Sequence, residues 1–341
     1  MKIGIAAPLS LAAVNGGVRT QVTETVRHLE ALGINVEIIH SDTSHFDFDL
    51  VHIFSASTET IGIAKQVKNK GIPLVISPVF YSNRSGKSIA NVLIVERFIS
   101  KIGSGIRSEY GIKAEICNYA DRILPNTDKE KELVQHAFGI NESKITVIPN
   151  GVESRFQHAS PDLFSKKYAI QNFILFAGQA GAARKNVIQL IRVAPSIERD
   201  IVIIGDFYND TYSQECVSLA EQAQNVHLIP TLDHDDPLLE SAYAACEVFC
   251  LPSLFETPGI AAMEAALAGA KIVITKEGGT KEYFGEHAFY SNPHSDESLK
   301  IGFQSALEAP KSDALKNRIL SNYTWNKVAE KTAAVYKDCL N

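Results

Sequence analysis

The sequence predicts an α/β protein that consists of two doubly wound domains. Short apolar stretches typical of buried strands alternate with amphipathic stretches typical of helices along most of the chain. Strands that alternate with helices in this way form parallel sheets with both faces covered. The alternation begins again after Asn150-Gly151-Val152, and a chain of 341 residues has room for about two domains.

The first half opens with a strand at residues 2–7, a glycine-containing loop and a helix. Apolar residues recur at spacings of three and four from Val18 to Leu32, and Gly33 ends the helix. The other predicted elements of this half are strands at 36–40, 50–54, 74–77, 122–125 and 144–148, and helices at 59–70 and 128–138.

The second half repeats the pattern and ends in a helix at 323–336. We place the first domain at 1–153 and the second at 154–325, facing each other across a hinge near 150–156. The predicted elements of the second domain are strands at 173–177, 201–204, 226–229, 248–251 and 272–275, and helices at 187–193, 213–222, 238–245 and 259–268.

The composition, with 45% apolar and 21% charged residues, is that of an ordinary globular chain. Its five cysteines are odd in number and form no Cys-x-x-Cys pair, which argues against a disulfide framework and a zinc site. Pro8 and Ser10 interrupt the apolar N-terminal stretch, so we do not interpret it as a secretion signal. Apolar runs fall short of the roughly 18 residues of a membrane span. We therefore expect a cytoplasmic protein, and no nucleic-acid partner.

The net charge of −6 is distributed unevenly. Residues 81–113 contain six basic residues and two glutamates, interspersed with apolar residues. Such a segment suits peripheral contact with the anionic inner face of a membrane, or a phosphorylated acceptor. It equally suits an ordinary charged helix face, and both interpretations stay open.

Two glutamates flank a turn that opens into a helix within residues 253–270. A predicted strand ends just before this stretch, and Pro258 stands where a helix would begin. Glu256 therefore lies just outside the helix, and Glu264 lies about two turns along it. With free N–H groups between them, the two carboxylates suit a sugar nucleotide, one meeting a sugar and the other holding a ribose.

The string Ser-Leu-Phe-Glu-Thr-Pro-Gly-Ile-Ala-Ala-Met-Glu-Ala-Ala-Leu-Ala-Gly resembles the E-x7-E signature of family 4 of the retaining, glycogen-synthase-like glycosyltransferases ("glycosyl transferases group 1"). The family has two facing Rossmann-like domains, the GT-B fold. The resemblance implies that Glu256 is catalytic at the donor sugar and that Glu264 binds the ribose. It also implies backbone contacts from Gly259 and Ile260, and a last helix that crosses back, so that 326–341 belongs to the first domain.

A loop after the predicted strand at 173–177 carries candidate phosphate-binding groups. Gly178 begins this loop, and Arg184 with Lys185 stands at the start of the next helix, where cations and free N–H groups can bind a diphosphate together. A basic pair is also common on surfaces; its combination with the two glutamates favours a catalytic role for Lys185 as well. The family usually has an arginine directly after the glycine, whereas this chain has Gln179. We expect Arg184 to supply that charge, or Lys185 to carry more of the binding.

The first domain offers a second glycine loop, Asn15-Gly16-Gly17-Val18-Arg19. It resembles the family's glycine pair, whose N–H group meets the diphosphate where a side chain would block the approach. The resemblance implies a diphosphate contact for Gly17 and acceptor contacts for Gly16 and Arg19. Many family members also have a histidine near the position of residues 77–80 that contacts the donor sugar, and this chain has none there.

Metal-dependent sugar transfer commonly uses Asp-x-Asp, and the chain contains Asp47-Phe48-Asp49. The resembling family has a similar string without a metal role at this position. We therefore expect no metal and no other cofactor, because the nucleotide sugar is a co-substrate.

Together these features predict a retaining, metal-independent glycosyltransferase. Its expected partners are a UDP-, GDP- or ADP-linked sugar and a saccharide or lipid-linked acceptor, in cell-envelope glycan or lipid-linked saccharide assembly. Two alternatives stay open: a nucleotide-sugar 2-epimerase of the same architecture, and a non-catalytic partner subunit that binds a sugar nucleotide or glycan.

Overall fold

The computed structural model describes residues 1–12, 16–40, 43, 46–82, 84–101 and 107–341. The chain divides into two compact units: Met1–Gly151 with Trp325–Asn341 (unit 1), and Val152–Thr324 (unit 2). These limits lie within two residues of the boundaries expected at 153 and 326.

Unit 1 is built on a five-stranded parallel sheet. Its strands are β1 (Lys2–Ala6), β2 (Asn35–Ile38), β3 (Leu50–Phe54), β4 (Leu74–Ser77) and β5 (Arg122–Ile123), and its first helices are α1 (Gly17–Ala31), α2 (Ile61–Asn69), α3 (Gly86–Lys101), α4 (Glu109–Tyr119) and α5 (Asp128–Phe138). The strand order is β2-β1-β3-β4-β5. Every residue of β3 and β4 is buried, as expected for central strands of a sheet covered on both faces.

Unit 2 is built on a six-stranded parallel sheet. Its strands are β6 (Ile174–Ala177), β7 (Ile201–Ile204), β8 (Val226–Ile229), β9 (Val248–Leu251), β10 (Lys271–Thr275) and β11 (Phe289–Ser291), and its helices are α6 (Asp162–Tyr168), α7 (Val187–Val193), α8 (Thr211–Gln222), α9 (Pro237–Ala245), α10 (Ile260–Leu267), α11 (Thr280–Phe284), α12 (Asp296–Glu308) and α13 (Ala314–Asn322). The strand order is β11-β10-β9-β6-β7-β8. If β6 to β11 are renumbered 1 to 6 and the sheet is followed from the β8 edge, the order is 3-2-1-4-5-6. This is the strand order of dinucleotide-binding sheets. It reverses between β6 and β9, where ligands bind at the carboxyl ends of the strands.

The last helix, α14 (Trp325–Leu340), belongs to unit 1 and packs against α1. Gly151 lies so close to Trp325 that an added Cβ would be 2.5 Å from the indole ring. On β3 the ring of His52 lies between Tyr336 Oη (2.6 Å) and Ser77 Oγ (2.9 Å). Burial lowers the pKa of His52 to about 3, so a neutral imidazole joins the returning helix to the sheet. None of the described helices is both long and apolar enough to cross a bilayer.

One predicted strand is wrong, and several elements were not predicted. Residues 144–148 do not form a strand: a 3-10 turn covers Glu142–Lys144, and Ile145 makes only an isolated bridge with Ile123. These residues lie at the edge of the sheet beside β5 and pair with it at one position only, so their alternation of apolar and polar residues did not produce a strand. The elements that were not predicted are α3, α4, α6, α11, α12, α13 and β11. In α3 the apolar residues lie on the exposed as well as the buried side of the helix, so the sequence shows no clear helical period.

Candidate active site

The loops that follow β6 and β9 meet at the strand-order reversal of unit 2. The first ends in a 3-10 turn at Ala183–Lys185. The second leads from β9 to the start of α10, and its Leu254 N–H donates to the carbonyl oxygen of Arg184 at 2.9 Å. This bond joins two loops that are distant in sequence and brings their side chains together.

Lys185 and Glu256 form an ion pair between these loops. Lys185 Nζ donates to Glu256 Oε1 at 2.5 Å, and Ser253 Oγ donates to the same oxygen at 2.6 Å. The two charged side chains are 14% and 8% exposed. Burial acts to raise the pKa of Glu256, but Lys185, Ser253 and Arg184 outweigh it and hold the pKa below its ordinary value. Glu256 is therefore an ionised carboxylate at neutral pH.

Asn186 fixes the position of Lys185. Its backbone is left-handed, with φ of 55°, between the 3-10 turn and α7. Its buried Nδ2 lies within hydrogen-bond distance of the carbonyl oxygens of Pro252 (3.1 Å) and Pro293 (2.9 Å) and of Gln189 Oε1 (3.0 Å). The amide thus ties the cation-bearing turn to the loop after β9.

The backbone of Glu256 is held by the glycine loop after β10. Glu256 N–H donates to Glu277 O at 3.1 Å, and Gly279 N–H donates to Glu256 O at 2.9 Å. Gly278 has φ of +101°, and a Cβ there would lie 2.0 Å from Glu256 O. Only glycine fits this position, so the loop at 278–279 supports the catalytic candidate directly.

Arg184 and Gln179 are bonded to each other. The exposed guanidinium of Arg184 donates from Nη2 to Gln179 Oε1 at 3.0 Å. Gly178, which precedes Gln179, has φ of +148°. The residue in place of the family's usual arginine therefore holds the guanidinium of Arg184 on the same loop.

The helix α10 begins at the predicted turn. Gly259 is its N-cap, with φ of 87° and no side-chain capping bond, and Ile260 is its first residue. A Cβ at Gly259 would lie 3.0 Å from Leu251 Cδ1. The first N–H groups of an α-helix have no acceptor within the helix, so this end of α10 suits an anion.

Both carboxylate oxygens of Glu264 are bonded by side chains that the sequence did not point to. His234 Nε2 lies 2.8 Å from Oε1, and Tyr243 Oη donates to Oε2 at 3.0 Å. The hydrogen bond to Glu264 outweighs burial and raises the pKa of His234 to about 9. His234 is therefore a cation at neutral pH, and each carboxylate oxygen of Glu264 keeps capacity for one more donor. His234 and Tyr243 lie 30 and 21 residues from Glu264 in sequence, with no helical spacing to signal the contact.

A cluster of charges continues from His234 to the start of unit 2. Arg155 bonds Glu153 Oε2 (2.5 Å), Glu240 Oε2 (3.0 Å) and Asp235 Oδ1 (3.4 Å). Among the described residues, Glu153, His234 and Asp235 are the one group whose ligand atoms are close enough to hold a metal ion. Arg155 already supplies a positive charge to two of them, so we assign no metal to this cluster.

Three predicted site residues lie in unit 1. Gly16 is the extended N-cap of α1, Gly17 is its first residue, and Arg19 is exposed; Asn15 lies outside the described residues. Of the Asp-x-Asp string, Asp49 Oδ2 accepts the backbone N–H of Lys2 at 2.7 Å, which gives it a structural contact at the start of β1.

The other seven predicted residues lie in unit 2, where Lys185 and Glu256 touch. The remaining five occupy the same two loops and α10: Gly178, Arg184, Gly259, Ile260 and Glu264.

Family models match both units. The model described as "Glycosyl transferases group 1" matches residues 162–322, and that described as "Glycosyltransferase Family 4" matches residues 43–156. An uncharacterized glycosyltransferase of Methanocaldococcus jannaschii is 27% identical over 227 residues, which cover 61% of this chain and 57% of the relative. An MMP alpha-(1->4)-mannosyltransferase of Mycolicibacterium hassiacum is 24% identical over 311 residues, which cover 86% of this chain and 71% of the relative.

The fold also has solved counterparts. The Anabaena protein HepE in complex with UDP has a TM-score of 0.75 at 16% identity, and the match covers 99% of this chain and 100% of that chain. Two doubly wound units, with loops gathered at a strand-order reversal, define the GT-B class of glycosyltransferase folds. Within that class the chain belongs to glycosyltransferase family 4.

Proposed function

We propose that this chain is a retaining, metal-independent glycosyltransferase that moves a sugar from a nucleotide-sugar donor to a hydroxyl acceptor. The observation that carries the proposal is the buried contact of Lys185 with Glu256 at the strand-order reversal of unit 2. Breaking the bond between a sugar and a diphosphate leaves negative charge on the phosphate and positive charge on the sugar. The ion pair offers one fixed charge of each sign at 2.5 Å separation.

On the phosphate side, the Lys185 ammonium has three donors and uses one for Glu256. The remaining donors, together with the Arg184 guanidinium and the free N–H groups at Gly259 and Ile260, stabilise the departing diphosphate without a metal ion. Gly17 is proposed as a further backbone contact to the diphosphate, as the family resemblance implies.

On the sugar side, the ionised Glu256 stabilises the positive charge that develops as the bond breaks. The departing phosphate accepts the proton of the incoming hydroxyl on the same face, which retains the configuration. Glu264 accepts the ribose hydroxyls while His234 and Tyr243 hold its carboxylate.

The substrate classes rest on the relatives and on the charge pattern. HepE has been solved with UDP and with UDP-glucose, which supports a nucleotide-sugar donor here. Gly16 and Arg19 are the proposed contacts to a saccharide or lipid-linked acceptor. With the basic segment at 81–113, we assign the protein to cell-envelope glycan or lipid-linked saccharide assembly on the cytoplasmic side, with peripheral membrane contact.

A thermal-shift screen against UDP-, GDP- and ADP-sugars identifies the donor, because a ligand that binds the native state raises the unfolding midpoint. Release of nucleoside diphosphate is then measured with and without candidate acceptors. Acceptor-dependent release supports transfer. Conversion of the donor without any acceptor would support the epimerase, and tight binding without turnover would support the binding subunit.

Site variants test the roles. Lys185→Ala and Glu256→Ala are each expected to abolish transfer while circular dichroism shows a folded chain. Lys300→Ala on α12, whose side chain is 41% exposed, is the matched control and should keep the wild-type rate. Near-normal rates in either site variant would contradict the assignment, and loss of activity with EDTA would contradict the metal-independent mechanism.

A further inference from the structure

Unit 1 presents an apolar patch on the outer side of α3. Ile94, Val95, Phe98 and Ile99 (the α3 patch) are 50%, 57%, 66% and 43% exposed. Outside this patch, no six-residue stretch of the described part of the chain holds more than one exposed large apolar side chain. Scattered apolar residues are normal on surfaces, whereas a cluster marks an interaction site.

The opposite side of α3 fixes the direction in which the patch points. Ile89 and Leu93 are buried in the core of unit 1. At the start of the helix, Gly86 packs so closely on α5 that an added Cβ would lie 2.6 Å from His136 Cβ. The patch residues pair at spacings of four and so form two adjacent columns on one helix face. Anchored in this way, α3 keeps that face turned outward from unit 1.

The exposed charged residues on α3 and just before it are basic. Arg84, Lys87 and Arg97 are exposed. Glu96, the acid on α3, is half-buried and accepts a hydrogen bond from Ser108 Oγ. At the described positions from Arg84 to Phe98, the exposed charged side chains are therefore all basic.

We propose that the α3 patch is a docking face for an anionic lipid bilayer, with its apolar side chains in the interfacial region and the neighbouring cations at the headgroups. A symmetric dimer through the same patch would bring the exposed basic residues of one copy towards those of the other, which charge repulsion opposes. An anionic surface complements both features. The inference deepens the membrane contact proposed above, and its test needs neither donor nor acceptor.

The test is co-sedimentation of the full chain with vesicles of phosphatidylcholine alone and of phosphatidylcholine with phosphatidylglycerol in equal amounts. We expect binding to the anionic vesicles, weaker by about tenfold or more with neutral vesicles, and a decline with added salt as the charges are screened. Phe98→Glu should weaken binding to anionic vesicles by about tenfold or more, because it removes apolar area and adds a repelled charge. Ile301→Glu on α12, where the isoleucine is 55% exposed, is the matched control and should bind as the wild type does.

Other outcomes would overturn the inference. These are failure of the wild type to bind anionic vesicles, equal binding to both vesicle types, or equal loss in the two variants. A dimer in solution that Phe98→Glu separates would instead identify the patch as a contact between copies. Because Phe98 is not part of the proposed catalytic machinery, turnover of Phe98→Glu on a soluble acceptor should stay at the wild-type rate; loss of turnover in Lys185→Ala with normal vesicle binding would keep the two proposals separate.

Discussion

Replacing Lys185 with alanine should destabilise unit 2 and change how its stability depends on pH. The variant leaves the carboxylate of Glu256, which is 8% exposed, without its cation. Removing one partner of a buried ion pair costs about 3–5 kcal/mol. Because Ser253 still donates to the carboxylate and some solvent reaches it, we expect a loss of about 2–3 kcal/mol. For a unit of this size, that lowers the unfolding midpoint by about 5–10 °C.

The pH dependence gives the sharper test. In the wild type the pKa of Glu256 is depressed, so its stabilising contribution is present above the ordinary value of about 4.3 and is lost as the pH falls through the folded-state pKa. In the variant, burial acts without the lysine and raises that pKa, so the variant gains stability relative to the wild type on acidification. The gap between the two should therefore shrink from about pH 7 to about pH 4.

Thermal unfolding followed by circular dichroism measures both effects. The double variant Lys185→Ala/Glu256→Gln is the control, because it removes the charge together with its partner and should recover part of the loss. Equal midpoints of wild type and single variant at neutral pH, or a gap that stays constant on acidification, would refute the reasoning.

Three further outcomes are expected. Arg184→Gln should raise the donor KM by about tenfold because the diphosphate loses a cation, whereas the double variant Gln179→Arg/Arg184→Gln should restore it; failure of the double variant to recover would show that a guanidinium at position 179 cannot replace that of Arg184. His234 has its pKa raised to about 9, so its contribution is complete below its unfolded pKa of about 6.5 and is lost as the pH rises through about 9; the wild type should lose about 1 kcal/mol over this range, discounted for exposure, and His234→Gln should show a flatter profile. Gly278→Ala should destabilise by more than about 3 kcal/mol, because its Cβ would meet a carbonyl oxygen at 2.0 Å, whereas Gly269→Ala, with the same left-handed φ of +100° and no atom within 4 Å, should lose only about 1 kcal/mol of backbone strain; similar losses in the two would contradict the steric argument.

The sequence predicted the parts of the fold that depend on local pattern. Strands such as β7 and β9 are continuous apolar runs because both faces of the sheet are covered. The turn after each strand and the family resemblance singled out Lys185 and Glu256, but the direct contact between their side chains was not predicted. Strand order is set by tertiary packing, so the placement of β6 beside β9 required the structure.

The supporting residues of the site are less visible in sequence. Asn186 bonds groups 66 and 107 residues away, and His234 bonds Glu264 30 residues on. Each contact follows from which loops meet in space, and polar residues in loops are too common to single out beforehand. The edge strand β11 was not predicted because a strand of three residues is too short to show a recognisable alternation of apolar and polar residues.

The reversal of strand order also bears on how the chain reaches its working state. Lys185 and Glu256 are 71 residues apart, and two complete strand-helix units, β7 to α9, lie between them. The ion pair can form only after β9 has paired with β6, although β7 and β8 lie between these two strands in the sequence. Contacts of such wide sequence separation form slowly, so we expect the contact between Lys185 and Glu256 to be among the last to form when unit 2 folds. The sequence between the two residues can vary as long as the ends of β6 and β9 hold Lys185 and Glu256 next to each other.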